Sequence, residues 1–215
     1  MIDIAGPEGV VCIVERIDAI AIAEMLRVED SLAPEVRSRV HAAAGSQRRR
    51  MLAARAIAHR CVAQASGLDD LVIAQRCDRC GSNGHGRPQV KDYPVDVSWA
   101  HSAMWVAAAA SVDRQVGVDV EDVPRARPGL SLIERALTPQ ERGPEGDVGP
   151  LPFARLWTAK EAMVKLGLLE LDDFGTTDVE VLARWSAVEV HASAVADGTV
   201  AVAVAATQPA HSAMR

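Results

Sequence analysis

The chain has 215 residues, a net charge of −6 and 49% hydrophobic but only 3% aromatic residues. This composition predicts one large domain or two small ones, with a core built from Ala, Val, Leu and Ile. The acidic charge and the few aromatic residues argue against a nucleic-acid-binding protein. No stretch approaches the roughly 18 apolar residues of a membrane helix, and the start of the chain lacks the features of a secretory signal.

The first half of the chain is predicted to alternate strands with helices. The helix after Ser31 is expected to use that residue as N-cap, with Pro34 in its first turn. The longest helix shows an apolar face and is expected to end at Gly67. The predicted strands are 9–14, 71–74, 95–99 and 105–110, and the predicted helices are 20–26, 31–44 and 47–65.

The second half is predicted to open with a hairpin that joins strand 105–110 to strand 116–121. Thr138 begins a capping box with Pro139 in the first turn. Further helices are predicted at 130–137 and 153–167, and further strands at 179–181, 188–190 and 199–206, in a sheet with one solvated face. The fold class is therefore α+β, with a possible seam at 122–130 and two halves, residues 1–111 and 112–215.

A basic segment stands out in this acidic chain. Residues 48–91 contain nine Lys and Arg against three Asp, a charge of +6, which leaves −12 for the remainder. Such a segment favours an anionic ligand, although a solvated helix face followed by a charged loop would have the same composition.

A Cys-x-x-Cys motif, Cys77 to Cys80, is followed by His85. It is typical of half a zinc site or of a redox pair. A closed zinc site needs four ligands, and the other two cysteines, Cys12 and Cys61, form no second motif of this kind. Ordinary loop thiols are therefore the alternative.

Two acidic motifs lie 40 positions apart. On strand 116–121, Asp119 and Glu121 are predicted to face the same side, roughly 7 Å apart. On helix 153–167, Trp157, Glu161 and Lys165 recur every four residues and share a stripe. Three carboxylates and a lysine suit Mg²⁺ bound to a diphosphate. The alternatives are a solvent-facing strand edge and a surface Glu–Lys pair.

Four motifs in this order resemble the 4′-phosphopantetheinyl transferases, over roughly residues 30–205. The length resembles the larger, monomeric, surfactin-synthetase-activating type. The motifs are Gly86-Arg87-Pro88, Val97-Ser98-Trp99-Ala100-His101-Ser102, Gly117-Val118-Asp119-Val120-Glu121 and Trp157-Thr158-Ala159-Lys160-Glu161-Ala162-Met163-Val164-Lys165.

The resemblance implies a fold and an activity. The fold would be a pseudo-dimer of two similar α+β halves, each a small antiparallel sheet packed with a long helix, with coenzyme A and Mg²⁺ (or Mn²⁺) in the cleft. The activity would move the phosphopantetheine arm of coenzyme A to a serine of an acyl or peptidyl carrier protein, releasing adenosine 3′,5′-bisphosphate. A cytoplasmic monomer without nucleic-acid or membrane partners is expected.

The resemblance also implies roles for individual residues. The metal ligands would be Asp119, Glu121 and Glu161. Lys165 would contact the reacting phosphate, and Glu161 would help to deprotonate the attacking serine, directly or through water. The coenzyme A contacts would be Arg48, Arg55, Arg76, Arg87, Pro88, His101, Ser102 and Lys165.

The chain departs from the family at two of these positions. Ala100 stands where the family usually has serine, which removes one hydroxyl contact, and Arg87 stands where lysine is frequent. The run Arg48-Arg49-Arg50 leaves open which arginine faces the nucleotide. Two other functions are kept as alternatives: a non-catalytic coenzyme A or nucleotide-binding module, and a zinc-loop protein that binds nucleic acid.

Overall fold

The computed structural model describes residues 1–69, 71–77, 79–124, 127–144, 146 and 148–209, and the statements below concern these residues. The strands are β1 (Ile2–Asp3), β2 (Val11–Arg16), β3 (Ile73–Arg76), β4 (Arg87–Val90), β5 (Asp96–His101), β6 (Trp105–Ser111), β7 (Val116–Asp122), β8 (Val188–Val195) and β9 (Val200–Thr207). The helices are α1 (Ile22–Ser31), α2 (Pro34–Ala42), α3 (Gly45–Ser66), α4 (Leu130–Ala136), α5 (Pro139–Arg142), α6 (Pro150–Lys165) and α7 (Val179–Trp185).

The described strands form two antiparallel sheets, which confirms the α+β class. The larger sheet has the order β1-β2-β6-β5-β4-β3, and the smaller has the order β7-β9-β8. One face of the larger sheet is covered by α3, whose Ile57 and Val62 are fully buried against Val106 and Ala108 of β6. Burial of this apolar face accounts for the long helix predicted from the sequence.

The other face of the larger sheet packs against the smaller sheet. Alternate residues of β7, namely Val116, Val118 and Val120, share a buried cluster with Ala107 and Ala109 of β6. Small alanine side chains allow the two sheets to approach closely. Helix α6 covers the outer face of the smaller sheet, where Ala203 and Ala205 of β9 pack against its Ala162 and Met163. The order of layers is therefore α3, large sheet, small sheet, α6.

The predicted hairpin between strands 105–110 and 116–121 is wrong. β6 pairs with β2 and β5, whereas β7 pairs with β9 in the other sheet. On its opposite edge, β7 donates its backbone N–H groups of Val116 and Val118 to side chains of β5, Asp96 Oδ2 at 2.6 Å and Ser98 Oγ at 3.2 Å. Side-chain oxygens thus accept the backbone N–H groups of a strand edge that would have paired with backbone carbonyls in a hairpin.

Two further predictions for the second half are also wrong. Residues 179–181 are not a strand: they begin α7, because Asp178 caps the N–H groups of Glu180 and Val181. The expected solvated face of the last strand does not exist, since β9 is buried along nearly its whole length between the large sheet and α6.

Most other elements match the sequence within a few residues. The capping box at Thr138 is confirmed, and Gly67 ends α3 in the left-handed conformation. Ser31 is not the N-cap of α2; it is the last residue of α1, and its hydroxyl donates to the carbonyl of Val28. The division into halves at residues 111 and 112 stays a prediction, and residues 210–215, predicted to fray, lie outside the described residues.

None of the described helices is both long enough and apolar enough to cross a bilayer.

Candidate functional site

Strand β7 and helix α6 bring the two acidic motifs together. The valines of β7 face the large sheet, so Gly117, Asp119 and Glu121 share the opposite face, as the strand period predicts. A Cβ atom at Gly117 would lie only 2.1 Å from the carbonyl oxygen of Ala162 on α6. The absence of a side chain at Gly117 therefore lets α6 approach β7 closely, next to Glu161.

Lys165 connects the two elements. Its Nζ donates to Asp119 Oδ1 at 2.8 Å and to the carbonyl oxygen of Val118 at 2.7 Å. Trp157, the third member of the predicted stripe, packs with aromatic rings instead. Its ring lies 6.0 Å from that of Phe153 and 5.3 Å from that of Phe174, measured between centroids. The core-packing interpretation of Trp157 is thus supported.

The carboxylates of this cluster repel one another. The pKa of Glu121 is raised to about 7, first by its burial and then by the charges of Asp119, Glu161 and Asp122, with Lys165 opposing. The pKa of Glu161 is raised for the same reasons, burial first and Asp119 second. One lysine therefore does not neutralise the negative charge that the fold concentrates here.

The residues present fit a hard divalent cation. Asp119 is buried, and its Oδ2 has no hydrogen-bond partner, which is unusual for a buried carboxylate oxygen. Oxygen ligands of this kind are those that Mg²⁺ prefers, together with several waters. Asp119, Glu121 and Glu161 are not among the sets of side chains whose ligand atoms all lie within 4.8 Å of one another. As placed, these ligand atoms cannot all bind one ion directly, so at least one carboxylate would rotate or bind through a water molecule.

A cavity of about 510 Å³ adjoins the carboxylate cluster. It lies between the β3–β4 hairpin, β5 and the end of α6, and its lining includes Gln75, Arg87, Pro88, Trp99, Lys165 and Gly167. Lys165 lines the cavity and also donates to Asp119, so this residue connects the cavity with the cluster.

Arg87 lies at the junction of the two sheets. It forms an ion pair with Asp96, and it donates to the backbone carbonyls of Lys165 and Val116. The preceding Gly86 has φ +106°, and a Cβ atom there would lie 2.2 Å from the carbonyl oxygen of Arg76. Glycine is required at this position, and it directs Arg87 and Pro88 into the cavity.

Arg55 and Arg76 differ in their surroundings. Arg55 is buried, donates to Gln75 Oε1 at 2.6 Å and lies 5.2 Å from the ring of Trp99, two residues that line the cavity. Burial, with a further contribution from the charge of Arg39, lowers the pKa of Arg55 to about 10. Arg76 pairs with Arg87 in the hairpin register and is exposed.

His101 and Ser102 lie at the end of β5. Partial burial lowers the pKa of His101, and the charges of Arg50, Lys165 and Arg55 lower it further, whereas a backbone hydrogen bond opposes them. The charges of three cationic side chains therefore act on His101, an environment that suits an anion. Ser102 is buried in the β5–β6 turn, where its hydroxyl accepts the N–H of Trp105 at 3.3 Å.

The arginines of the run at the start of α3 have different surroundings. Arg48 forms an ion pair with Glu29 of α1 at 2.6 Å, whereas Arg50 lies close enough to His101 to lower its pKa. Arg48 does not line the cavity, so its predicted contact with the nucleotide stays a prediction. Arg50 is the member of the run whose charge acts on His101.

Known families provide an independent comparison. Residues 115–202 match the model of the 4′-phosphopantetheinyl transferase superfamily. Over these residues the chain is similar to that superfamily, whose members transfer phosphopantetheine. It covers less than half of the chain but includes Asp119, Glu121, Glu161 and Lys165. Members act on carrier proteins with coenzyme A as substrate, typically with a divalent metal ion. A search of curated proteins found no match.

Sequence reasoning missed a buried ion pair behind the site. Lys160 is completely buried and donates to Glu141 Oε2 at 2.6 Å and to the carbonyls of Ala136 and Phe174. Burial lowers the pKa of Lys160, and its hydrogen bond to Glu141 opposes that effect. The position of Lys160 on the inner side of α6, between buried Ala159 and Ala162, was the available signal.

Proposed function

We propose that the protein transfers the 4′-phosphopantetheine arm of coenzyme A to a serine of an apo acyl or peptidyl carrier protein. The observation that carries the proposal is the cluster of Asp119, Glu121 and Glu161 beside Lys165, a residue that also lines the cavity containing Arg87. The family match over the same residues supports it.

In this reaction the serine hydroxyl oxygen attacks the phosphorus that bears the pantetheine arm. A new O–P bond forms, and the bond from that phosphorus to the bridging diphosphate oxygen breaks. Adenosine 3′,5′-bisphosphate leaves with the electron pair of that bond, and the serine proton passes to a base. Glu161 would help to accept that proton, directly or through water.

The metal ligands in the proposal are Asp119, Glu121 and Glu161. A bound Mg²⁺ or Mn²⁺ would neutralise charge on the diphosphate and on the leaving group. Lys165 would hold the reacting phosphate, because the residue lines the cavity and its ammonium group contacts Asp119. The partnerless Oδ2 of Asp119 is the observation in favour of this ligand set.

Coenzyme A would occupy the cavity between the sheets. Arg87, Pro88 and Arg55 would hold its nucleotide, since guanidinium groups bind phosphate through paired hydrogen bonds and stack on bases. His101, Ser102 and Arg76 would contact its phosphates at the rim. The same expectation for Arg48 requires release of its ion pair with Glu29.

The finer features implied by the resemblance complete the proposal. They are the larger surfactin-synthetase-activating type, a monomer built as a pseudo-dimer, a cytoplasmic location, and service to secondary-metabolite or fatty-acid synthesis. Two layers of similar construction support the pseudo-dimer, since each sheet carries one long helix, α3 or α6, on its outer face.

A non-catalytic coenzyme A-binding module is the second candidate. It would need the arginines and the cavity but not the carboxylates, whose mutual repulsion has no use in binding alone. Three carboxylates beside the cavity therefore favour the transferase.

Incubation with coenzyme A, Mg²⁺ and an apo carrier protein tests the proposal. Mass spectrometry is expected to show the phosphopantetheine mass added to the carrier serine, with release of adenosine 3′,5′-bisphosphate. A carrier whose serine is replaced by alanine is the control. Binding of coenzyme A without transfer, across peptidyl, polyketide and fatty-acid carriers, would favour the binding module instead.

A further inference from the structure

We infer that Cys77, Cys80 and His85 form a zinc site at the tip of the β3–β4 hairpin, with a fourth position open to solvent. The site is separate from the proposed transferase centre and does not depend on it. The ligand atoms of the three residues all lie within 4.8 Å of one another, the only set with this property among the residues that the structure describes.

The ligand atoms are spaced for a tetrahedral ion. Zn–S and Zn–N bonds of about 2.3 and 2.0 Å separate neighbouring ligand atoms by roughly 3.5–3.8 Å. Cys80 Sγ and His85 Nε2 are 3.3 Å apart, close to that edge length. The third ligand atom, Cys77 Sγ, lies within 4.8 Å of the ligand atoms of both residues.

The backbone of the loop holds the two cysteines on one turn. Gly81 N donates to the carbonyl of Cys77 at 2.8 Å, and Cys77 N donates to the carbonyl of Ser82 at 2.9 Å. The loop is also fixed from outside, because Arg39 of α2 donates to the carbonyl of Gly84. These contacts bring Cys77, Cys80 and His85 to one side of the loop before any ion binds.

The chemistry of these three ligands favours Zn²⁺ over the Mg²⁺ proposed for the carboxylate cluster. Thiolate and imidazole are soft or borderline ligands that select Zn²⁺, whereas Mg²⁺ prefers oxygen. Cys80 and His85 are exposed and Cys77 is half-buried, so the ion can enter from solvent. With three protein ligands, water would complete the tetrahedron.

The site has a structural consequence for the cavity. The loop from Cys77 to His85 leads directly into Gly86 and Arg87, and Gln75 Nε2 donates to the carbonyl of Gly86 at 2.9 Å. Fixing the loop by an ion at its tip would therefore fix the backbone that carries Arg87. This role is that of a clamp on the hairpin, with no part in the chemistry of transfer.

Metal content of the full-length protein tests the inference without coenzyme A or a carrier. The reduced protein, stripped with a chelator and desalted, is titrated with Zn²⁺ against a chromophoric chelator, and with Co²⁺ in an optical titration. We expect one equivalent of Zn²⁺ per chain and a Co²⁺ spectrum with thiolate charge-transfer bands and intense tetrahedral d–d bands. The Co²⁺ spectrum tests the ligand set without any substitution.

Substitutions provide the matched controls. Cys77→Ser with Cys80→Ser should abolish the site, and His85→Gln should weaken Zn²⁺ binding at least about 10-fold. His191→Gln, an exposed histidine on β8, should bind as the unaltered protein does. Glu161→Ala should also keep its zinc, so loss of transfer and loss of zinc are separable. Thermal unfolding of each variant checks that it is folded.

Two results would overturn the inference. One is a reduced, folded protein that binds no Zn²⁺. The other is undiminished Zn²⁺ binding by the double serine variant.

Discussion

Gly117 of β7 lies against the carbonyl group of Ala162 of α6, at a distance that leaves no room for a methyl group. This contact fixes the spacing between the strand that carries Asp119 and Glu121 and the helix that carries Glu161 and Lys165. Because both partners are backbone groups, neither can move aside without shifting a whole element. The separation of the carboxylates is therefore determined by a residue that has no side chain.

Gly117→Ala is expected to destabilise the protein by about 2–4 kcal/mol, because the new methyl group must displace α6 from β7. Chemical denaturation measures this loss. Gly45→Ala is the control: its Cβ would meet nothing within 4 Å and would lie in the first turn of α3. That variant should be unchanged or more stable by up to about 1 kcal/mol. Equal stabilities of the two variants would contradict the importance of the contact.

Glu161→Ala is expected to lower transfer to a carrier protein at least about 10²-fold, since it removes a proposed metal ligand and proton acceptor. The fold should persist, because Glu161 has a raised pKa and repels Asp119. Transfer assays with a thermal melt measure both effects. Glu134→Ala, on the exposed side of α4, is the matched control. Wild-type turnover in Glu161→Ala would remove Glu161 from the proposed metal site.

Arg87→Ala is expected to raise the KM for coenzyme A more than it changes kcat, because the guanidinium group lines the cavity. The structure adds a second effect. Loss of the contacts to Asp96 and to the carbonyls of Val116 and Lys165 should cost about 1–3 kcal/mol of stability.

Coenzyme A titrations of initial rate and denaturant unfolding separate the two effects of Arg87→Ala. Arg184→Ala, which alters an exposed arginine of α7, should change neither. A fall in kcat at constant KM would argue against the phosphate-binding role of Arg87, whatever happens to stability.

Lys160→Met is expected to destabilise the protein by about 3–5 kcal/mol, because it leaves the buried carboxylate of Glu141 without its cation. Adding Glu141→Gln removes the isolated charge, so the double variant should be more stable than the sum of the two single losses predicts. Denaturant unfolding of the three variants forms the double-mutant cycle. Additive losses would show that the Lys160–Glu141 interaction is unimportant.

The sequence predicted the acidic motifs well because they depend on local periodicity. The alternation along β7 places Asp119 and Glu121 on one face whichever sheet the strand joins. The capping box at Thr138 and the glycine that ends α3 are likewise settled within a few residues. Predictions that depended on which strand pairs with which failed. The predicted hairpin from β6 into β7 is wrong because a short connection does not reveal that consecutive strands enter different sheets.

Residues 179–181 show the same limit within one element. Their alternating apolar pattern is compatible with a strand, but the carboxylate of Asp178 caps two N–H groups and starts a helix. Arg48 and Arg50 are equivalent in the sequence, and only the packing of α1 and β5 around α3 directs one to Glu29 and the other towards His101.

The amino-acid sequence by itself determined the class of the fold, the faces of β7 and α6, and the kinds of ligand that each offers, because these follow from side-chain chemistry and from periods of two and 3.6 residues. The tertiary structure alone decided how those faces meet: the close approach at Gly117, the junction at Arg87, the buried Lys160 and the grouping of Cys77, Cys80 and His85. These features join residues distant in the chain, and their positions depend on how whole layers pack.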